Sequence, residues 1–317
     1  MSKIPVKIID GSANSPLVEE ICTFKGLKRA WSKTKVSSFS DGETNIEIQE
    51  SMRGADVFVI QPTSPPANEH FIQLCFILDA LKRSSCHRIT AVIPYFGYGR
   101  QDKKLRPRVP ISARAIADII QCVGVDRVLT MDLHANQIQG FFSIPVDNLF
   151  SSSIFMNHME ENLEENTVFV SPDVGGVART VHYSKKLKAE TAIIHKTRVA
   201  ANKVGKMVLL GDVRNKVAII VDDMIDTAGT LCKAAGILKD AGAKKIIAYG
   251  SHGIFSGNAH TKIYNSDFDK IYITDSIQKT FAILPSTTMI ETISFAELFA
   301  KAILNIHEEI SVSSLFS

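Results

Sequence analysis

Short apolar runs rich in β-branched residues alternate with amphipathic helical stretches along the whole chain. Apolar runs of this length, bounded by turn residues, predict buried strands. Four strands are predicted in the first half of the chain, at residues 6–10, 56–61, 89–95 and 127–133. Five more are predicted in the second half, at residues 167–171, 191–195, 216–221, 245–251 and 270–274.

Helical periodicity is clearest in the segment NEHFIQLCFILDALK, which follows the second predicted strand. Its spacing places five apolar side chains on one face of a helix: Phe71, Leu74, Cys75, Leu78 and Leu81. Alternating strands and helices favour parallel sheets covered on both sides. The pattern therefore predicts an α/β fold of two similar domains, each a mainly parallel sheet flanked by helices.

The domain boundary is predicted near residues 148–153, where DNLFSSS supplies loop-type residues after a turn that contains Pro145. This gives an N-terminal domain of residues 1–149 and a C-terminal domain of residues 150–317. The final segment, ISVSSLFS, is typical of a frayed tail. The alternative is that about the last ten residues pack back on the N-terminal domain.

Composition is that of an ordinary globular protein, with 45% hydrophobic and 22% charged residues among 317. The length favours two domains. The formal net charge of +3 is too small to indicate a nucleic-acid partner.

The cysteines indicate a reducing compartment, because five of them are present and no two form a Cys-x-x-Cys pair. No apolar run approaches the roughly 20 residues that a membrane helix requires. The N-terminal MSKIPVKIID lacks the long apolar stretch of a secretory signal. We therefore expect a soluble, cytoplasmic protein without a membrane partner.

The most informative stretch is VAIIVDDMIDTAGTL, which begins as a buried strand and continues with acidic and then small residues. Backbone N–H groups at a helix start can hold an anion, which predicts a phosphomonoester site at Asp226, Thr227, Ala228, Gly229 and Thr230. Asp222 and Asp223 beside it can accept hydrogen bonds from sugar hydroxyls. A ribose 5-phosphate fits both features. A simple capped helix explains Thr227 but not two adjacent acids at the end of a buried strand.

A second candidate follows the strand RVLTM, where DLHANQ places Asp132 and His134 two residues apart. On an extended segment both side chains point the same way and can share a divalent cation or its waters. The alternative is a hydrogen-bonded histidine beside a helix-capping aspartate.

A third candidate, SPDVGGVAR, combines a possible metal ligand with small residues. Asp173 offers a hard oxygen, Gly175 and Gly176 permit a backbone-lined anion pocket, and Arg179 supplies positive charge one helical turn later. An ordinary Pro-Asp-x-Gly turn is the alternative. Together with Asp132 and His134, the segment predicts a magnesium–pyrophosphate site.

The segment HKTR follows another predicted strand and carries Lys196 and Arg198. The mixed stretch VAANKVGKM after it predicts a mobile loop that brings positive charge over a reacting phosphate. A solvated charge pair at the exit of a strand is the alternative.

These motifs resemble those of one family. VDDMIDTAGT is similar to the phosphoribosyl-diphosphate loop of type I phosphoribosyltransferases, and other segments select the class I ribose-phosphate pyrophosphokinases. They are FSDGETNIEI, AVIPYFGYGRQDKK, TMDLHANQIQGFF, IPVDNL, VSPDVGG, IIHKTR, GDV, SHGIFSG and SVSSLF. The resemblance covers nearly the whole chain.

The resemblance implies an enzyme that transfers the β,γ-diphosphoryl group of Mg²⁺-ATP to the 1-hydroxyl of ribose 5-phosphate. It assigns ATP contacts to Asp41, Gly42, Glu43, Arg100 and Gln101. It assigns magnesium to Asp132, His134 and Asp173, and catalysis to Lys196, Arg198 and His134. It assigns the binding of ribose 5-phosphate to Asp222, Asp223 and residues 226–230. It assigns the pyrophosphate loop to Asp173, Gly175 and Gly176.

The resemblance also implies a hexamer built from dimers, with phosphate and ADP as candidate allosteric ligands. Two positions depart from the common pattern, Asn136 where Ser is frequent and Ser314 where Tyr is frequent. Both lie in segments that the family associates with regulation, so the departures concern the allosteric response rather than catalysis.

Three other functions are compatible with this fold. A phosphoribosyltransferase would consume the product, but it has no use for FSDGET or GRQDKK. A noncatalytic subunit of the same family, or a transcription factor built on this fold, would lose catalytic residues, whereas Lys196, Arg198, His134 and Asp173 are present.

Overall fold

The structure is a computed structural model, and it describes residues 4–200, 203–278 and 289–315, without the side chains of residues 196–200 and 203–206. The chain divides into two compact units. Unit 1 contains the described residues up to Phe150, Asp275–Gln278 and those from Ser294 onward. Unit 2 contains Ser151–Thr274 and the described residues that end at Ile293.

Unit 1 is built on a six-stranded parallel sheet. Its strands are β1 (Val6–Asp10), β2 (Trp31–Ser32), β5 (Asp56–Ile60), β6 (Arg88–Ile93), β7 (Arg127–Met131) and β8 (Val146–Leu149). Their spatial order is β2-β1-β5-β6-β7-β8. A separate antiparallel hairpin consists of β3 (Thr34–Ser38) and β4 (Thr44–Ile48). All five residues of β5 are buried, as expected for a central strand covered on both faces.

The helices of unit 1 are α1 (Ser15–Ile21), α2 (Ala67–Arg83), α3 (Ser112–Cys122) and α8 (Ala296–His307). Two 3-10 helices, Asn136–Phe141 and Val312–Leu315, follow β7 and α8. The predicted helical face of α2 is confirmed, because its five apolar residues are all buried. They form one core with the sheet and with the inner face of α3.

Unit 2 contains a seven-stranded sheet in the order β11-β10-β9-β12-β13-β14-β15, parallel except for β11. Its strands are β9 (Thr167–Ser171), β10 (Glu190–Ala200), β11 (Lys203–Leu210), β12 (Val217–Ile225), β13 (Lys245–Gly253), β14 (Lys270–Thr274) and β15 (Ile290–Ile293). Its helices are α4 (Ser152–Asn162), α5 (Val177–Lys186), α6 (Gly229–Asp240) and α7 (Ala259–Tyr264).

The predicted fold class is confirmed, and every predicted strand is present. The strands that the sequence pattern missed are mostly short, such as β2 with two residues and β8 with four. The largest difference is the predicted loop after His195. There β10 continues to Ala200 and pairs with the antiparallel β11. The stretch VAANKVGKM is rich in Ala, Asn, Lys and Gly, which are depleted in strands, so the pattern predicted a loop there although β11 ends in the apolar run MVLL.

The division into units differs from the predicted domains at the end of the chain. The sequence assigned residues 150–317 to the second domain, whereas Asp275–Gln278 and the residues from Ser294 onward belong to unit 1. The reason is α8, whose apolar residues are buried against unit 1 and which packs on α1. Among the described residues, no helix is long and apolar enough to cross a membrane.

Candidate functional site

The sheet of unit 2 has a crevice at the carboxyl ends of β9 and β12. These strands are parallel neighbours, with Ile220 opposite Val170. From β9 the chain continues to β10 on one side, and from β12 it continues to β13 on the other. Loops diverge where the strand order reverses in this way, and doubly wound proteins bind ligands there. The segments after β9 and β12 therefore flank the place where the topology predicts a ligand site.

The two adjacent acids, Asp222 and Asp223, lie near the carboxyl end of β12. Arg179 on α5 donates from Nη1 to Asp222 Oδ1 at 2.7 Å and from Nη2 to Asp223 Oδ1 at 3.1 Å. The backbone N–H of Asp223 also donates to Asp222 Oδ1, at 2.9 Å. The positive charge predicted at Arg179 is therefore paired with two carboxylates of β12, and a contact of Arg179 with a bound anion stays a prediction.

Asp222 has an unusual proton affinity for an aspartate. Burial, the charge of Asp223 and a hydrogen bond with its side chain raise the pKa of Asp222 to about 7, and Arg179 opposes the increase. The carboxyl group therefore changes charge near neutral pH. In its ionised form it accepts hydrogen bonds only, which suits it to the hydroxyl groups of a sugar.

The small residues after β12 form an open helix start. Ala228 has a left-handed φ of 55°, which is costly for a residue with a side chain and is typical of functional loops. The helix α6 begins at Gly229, and no side chain caps it. Its first N–H groups therefore lack a capping side chain and can bind an anion. Asp226 is half-buried, while Thr227 and Thr230 are exposed at the same loop.

One basic residue at this loop was not predicted from the sequence. Lys262 Nζ on α7 donates to the carbonyl oxygen of Thr227 at 3.0 Å. A side-chain carbon added at Gly229 would lie 3.8 Å from that Nζ and 4.0 Å from Thr227 Oγ1. The space above Gly229 is thus lined by an ammonium group and a hydroxyl group. Lys262 carries no recognisable motif, so only the three-dimensional structure connects it with the loop.

The predicted pyrophosphate loop follows β9 at the same crevice. Asp173 Oδ1 accepts from the backbone N–H of Gly176 at 3.0 Å, and Ser171 Oγ donates to the carbonyl oxygen of Asp173 at 2.6 Å. Asp173 and Gly175 are exposed, and a side-chain carbon at Gly175 would approach only Asp173 Oδ1. A tight turn and an accessible loop are therefore both present.

Asp132 and His134 lie in unit 1, at the carboxyl end of β7. Asp132 has a φ of 41°, so the segment is not extended as the sequence analysis assumed. Aspartate tolerates this left-handed conformation better than most residues, which removes the assumed parallel orientation of the two side chains. Asp132 is half-buried and His134 is exposed. Their role as magnesium ligands stays a prediction.

Arg100 and Gln101 lie in the loop after β6, the strand beside β7. The two loops are close, since a side-chain carbon at Gly99 would lie 3.5 Å from the Cβ of His134. Gln101 Oε1 accepts from Ser112 Oγ at the start of α3, and Arg100 is exposed. Unit 1 therefore brings together the predicted phosphate contacts and two of the predicted metal ligands.

The remaining predicted ATP contacts occupy the tip of the β3–β4 hairpin. Asp41 Oδ1 accepts from the backbone N–H of Glu43 at 3.1 Å, and Gly42 takes a left-handed φ of 94°. All three residues are exposed, and among the described residues only the chain neighbours of Gly42 lie within 4 Å of the position of a side-chain carbon there. The hairpin tip thus presents its polar groups to solvent.

Lys196 and Arg198 lie in β10, opposite Met207 and Val204 of β11. The register shifts between these two residues and again before Ala200. Their side chains lie outside the described residues. Their catalytic role and the mobility of the segment stay predictions.

No group of three or more His, Cys, Asp or Glu side chains is arranged for a metal ion in the described part of the chain. Asp132 and His134 belong to unit 1 and Asp173 to unit 2. Magnesium usually keeps several waters and binds through one or two carboxylates together with substrate phosphates. Exposed carboxylates beside predicted phosphate contacts fit that mode of binding.

Family comparisons agree with these features. The sequence pattern of the N-terminal domain of ribose phosphate pyrophosphokinase matches residues 6–124. That of the phosphoribosyl synthetase-associated domain matches residues 196–317.

Full-length relatives are also similar to the chain. A ribose-phosphate pyrophosphokinase of Helicobacter hepaticus is 48% identical over 98% of each chain. Another from Vibrio parahaemolyticus is 46% identical over 98% of this chain and 99% of its own. The crystal structure of phosphoribosylpyrophosphate synthetase from Mycobacterium smegmatis superposes with a TM-score of 0.88 at 34% identity, covering 96% of this chain and 99% of that one.

Proposed function

The chain belongs to the ribose-phosphate pyrophosphokinase family of diphosphotransferases, and we propose that it transfers the β,γ-diphosphoryl group of ATP to the 1-hydroxyl of ribose 5-phosphate. The products are 5-phosphoribosyl 1-diphosphate and AMP. The observation that carries the proposal is the crevice of unit 2. There, two carboxylates and an uncapped helix start follow one another on β12 and α6.

The two ends of ribose 5-phosphate would bind to different groups of the protein. The phosphate accepts hydrogen bonds from the N–H groups of residues 226–230, and the hydroxyl groups donate to Asp222 and Asp223. Arg179 holds these carboxylates in place and offsets their mutual repulsion. This fixes the sugar so that its 1-hydroxyl lies beyond the carboxyl end of the sheet.

ATP would be held by the polar groups of unit 1 and by the pyrophosphate loop. Arg100 and Gln101 bind its phosphates, Asp41, Gly42 and Glu43 contact its adenine, and Asp173, Gly175 and Gly176 hold the group that is transferred. Mg²⁺ would be held by Asp132, His134 and Asp173, and when bound it would neutralise phosphate charge. The exposed carboxylate of Asp173 and the half-buried carboxylate of Asp132 are the hard oxygen ligands that such a cation prefers.

Transfer breaks the bond between the β-phosphorus of ATP and the oxygen that leaves with AMP, and it forms a bond from the 1-oxygen of ribose to the β-phosphorus, while the proton of the 1-hydroxyl is released. Negative charge develops on the nonbridging oxygens and on the departing AMP. We assign the stabilisation of this charge to Lys196 and Arg198, with His134 in the same catalytic set. No covalent intermediate with the protein is required.

The same proposal includes assembly and regulation. A hexamer built from dimers, with phosphate and ADP as allosteric ligands, is what the resemblance supports. Asn136 accepts from Asn148 Nδ2 at 3.4 Å, and Ser314 Oγ donates to the carbonyl oxygen of Ser311 at 2.7 Å. Both residues lie in segments to which the resemblance assigns regulation, and each makes a hydrogen bond within unit 1.

The decisive experiment follows label on the γ-phosphate of ATP in the presence of ribose 5-phosphate. We expect the label in the sugar product, together with one AMP for each sugar converted. Formation of ADP as the nucleotide product would show that the protein transfers a single phosphate group and would refute the diphosphate transfer.

A further inference from the structure

Lys262 occupies a specific position beside the phosphate loop of unit 2. The strands β12 and β13 are parallel neighbours, so the segments that follow them emerge at the same edge of the sheet. α7 follows β13 and brings Lys262 to the start of α6. Its Nζ is 3.8 Å from the place of a side-chain carbon on Gly229, the residue where α6 begins.

Among the described residues, the positive charge of Lys262 is not paired with a negative charge of the loop. Within the described residues it forms no ion pair with a carboxylate, and its hydrogen bond goes to a neutral carbonyl oxygen. Arg179, by contrast, is paired with two carboxylates in the same crevice. An ammonium group has three donors, so the bond to Thr227 leaves others for a ligand.

The charge of Lys262 also acts at the first turn of α6. Burial raises the pKa of the Cys232 thiol, while a hydrogen bond with Ser266 and the positive charge of Lys262 lower it. Cys232 lies three residues after Gly229. The ammonium group therefore acts electrostatically on the same helical turn whose N–H groups face the loop.

A phosphomonoester of a sugar carries nearly two negative charges at neutral pH. The N–H groups of a helix start supply only about half a positive charge, so a full charge nearby adds appreciably to binding. A purely structural lysine would satisfy the carbonyl oxygen of Thr227 and do no more. The open space above Gly229, lined by both Nζ and Thr227 Oγ1, distinguishes the two roles.

We propose that Lys262 is a further substrate-binding residue, which donates from Nζ to the 5-phosphate of the sugar substrate held at residues 226–230. The inference rests on the proposed function for the identity of the sugar. It adds a side-chain cation to a phosphate site that the sequence motif builds from backbone N–H groups and hydroxyls.

The experiment compares Lys262→Met, Lys262→Arg and a control, Lys239→Met, in the full-length protein. Lys239 lies in the last turn of α6, about 15 Å along the helix from Gly229 and beyond the range of screened charges at physiological salt. Calorimetry with ribose 5-phosphate alone gives the Kd, and AMP formation gives kcat and both KM values.

We expect Lys262→Met to weaken ribose 5-phosphate binding about tenfold, the size typical of one charge-assisted hydrogen bond at a partly exposed site. The kcat and the KM for ATP should stay within about twofold, because the contact is equally strong in ground and transition states. Lys262→Arg should restore most of the affinity, and Lys239→Met should match the wild type. The pKa of Cys232, followed by its alkylation rate, should rise in Lys262→Met.

Unchanged ribose 5-phosphate affinity in Lys262→Met would overturn the inference. So would a loss that Lys262→Arg fails to restore, since that pattern belongs to a structural lysine. Calorimetry separates this inference from the proposed function. A wild type that binds the sugar in a Lys262-dependent way but forms no AMP would refute the diphosphate transfer alone.

Discussion

The two units contain the same kind of crevice but fill it differently. In unit 2, where the strand order reverses between β9 and β12, the loops carry carboxylates, an uncapped helix and open glycine positions. In unit 1 the order reverses between β1 and β5. There, a buried amide occupies the corresponding place.

The buried amide belongs to Gln61, the residue after β5. Its Oε1 accepts from the N–H of Ala13 at 3.0 Å, and its Nε2 donates to Gln73 Oε1 at 3.2 Å. A side-chain carbon at Gly11 would lie only 2.4 Å from Gln61 Oε1. On the side of β5, the loop after β1 thus packs on a protein side chain.

The difference shows that topology provides a crevice and the loop residues decide its use. Glycine illustrates this directly. At Gly229 the absence of a side chain leaves space beside a cation and a hydroxyl, whereas at Gly11 it leaves space for another part of the same protein. Changes in unit 2 should therefore affect kinetics, and changes at Gly11 or Gln61 should affect stability.

The largest effect is expected from Lys196→Ala in unit 2. If this cation acts mainly on charge that develops during transfer, kcat should fall by about 10²–10³, as on losing one preorganised contact to the transition state. Calorimetric binding of ATP and of ribose 5-phosphate should remain near normal. A kcat that stays close to the wild-type value, or a defect that saturating substrate repairs, would make Lys196 a binding residue only.

The next largest effect is expected from Gly229→Val. A branched side chain would block the close approach of a phosphate to the helix start, so the KM for ribose 5-phosphate should rise about 10–100-fold, the equivalent of one or two hydrogen bonds to a charged group. The melting temperature should change little. An unchanged sugar affinity in the folded variant would locate the sugar phosphate elsewhere.

The matched variant in unit 1 is Gly11→Ala, which should show the opposite pattern. Overpacking against Gln61 costs about 1–3 kcal/mol, which corresponds to a loss of about 2–10 °C in Tm for a unit of this size. Both KM values should be unchanged. A kinetic defect without loss of stability would show that the crevice of unit 1 also binds a ligand.

A smaller effect should appear as a dependence of sugar binding on pH. Because the pKa of Asp222 is raised to about 7, lowering the pH from 8 to 6 protonates it and removes an acceptor for the sugar hydroxyls. The Kd for ribose 5-phosphate should increase by roughly tenfold over that range, since about one pH unit below the pKa only a tenth of the group is ionised. Calorimetry at several pH values measures this.

Asp222→Asn is the control, because it should bind the sugar weakly at every pH and keep only the dependence that arises from the substrate phosphate. The raised pKa of Asp222 also affects the free energy of unfolding. The folded state binds the proton of this carboxyl group more tightly than the unfolded state does, so the free energy of unfolding falls as the pH rises from about 4 to about 7 and is constant above pH 7. A Kd of the wild type that changes with pH no more than that of Asp222→Asn would refute the role of this carboxyl group.

The smallest functional effect should come from Gln61→Leu. It leaves the N–H of Ala13 without its partner and should lower the free energy of unfolding by about 1–3 kcal/mol, with unchanged kcat and KM. Gln49→Leu, at an exposed glutamine, should change stability by no more than about 0.5 kcal/mol. Denaturant titration distinguishes the two, and equal effects would show that the amide of Gln61 is not a structural contact.

The sequence predicts the strands well because each core strand is a compact apolar run. β1, β9 and β14 have the predicted bounds, and all residues of β9 are buried. It misses β11, because Lys203, Gly205 and Lys206 interrupt the apolar residues of this strand, which pairs with β10 in the antiparallel direction. It also misses the position of α8, whose partner α1 lies almost the whole chain length away.

The site is predictable where chemistry is concentrated in short motifs. Asp222, Asp223 and residues 226–230 follow one strand, and the structure has them at one crevice. Lys262 and the pairing of Arg179 are not predictable in this way, because each depends on which strands are neighbours. A conformational detail such as the left-handed φ of Asp132 also has no clear sequence signal.

The return of the chain to unit 1 sets an order for folding during synthesis. Unit 2 has been translated in full once Ile293 has been added, whereas unit 1 still lacks α8, whose buried Phe299 and Ile303 belong to its interior. At about 5–20 residues per second, the ribosome needs only a second or so more to supply α8. A nascent chain released in that interval would carry a finished second unit and an unfinished first one, with the partner surface of α1 uncovered. A chain that stops before α8 would therefore expose the apolar surface of unit 1 that α8 covers.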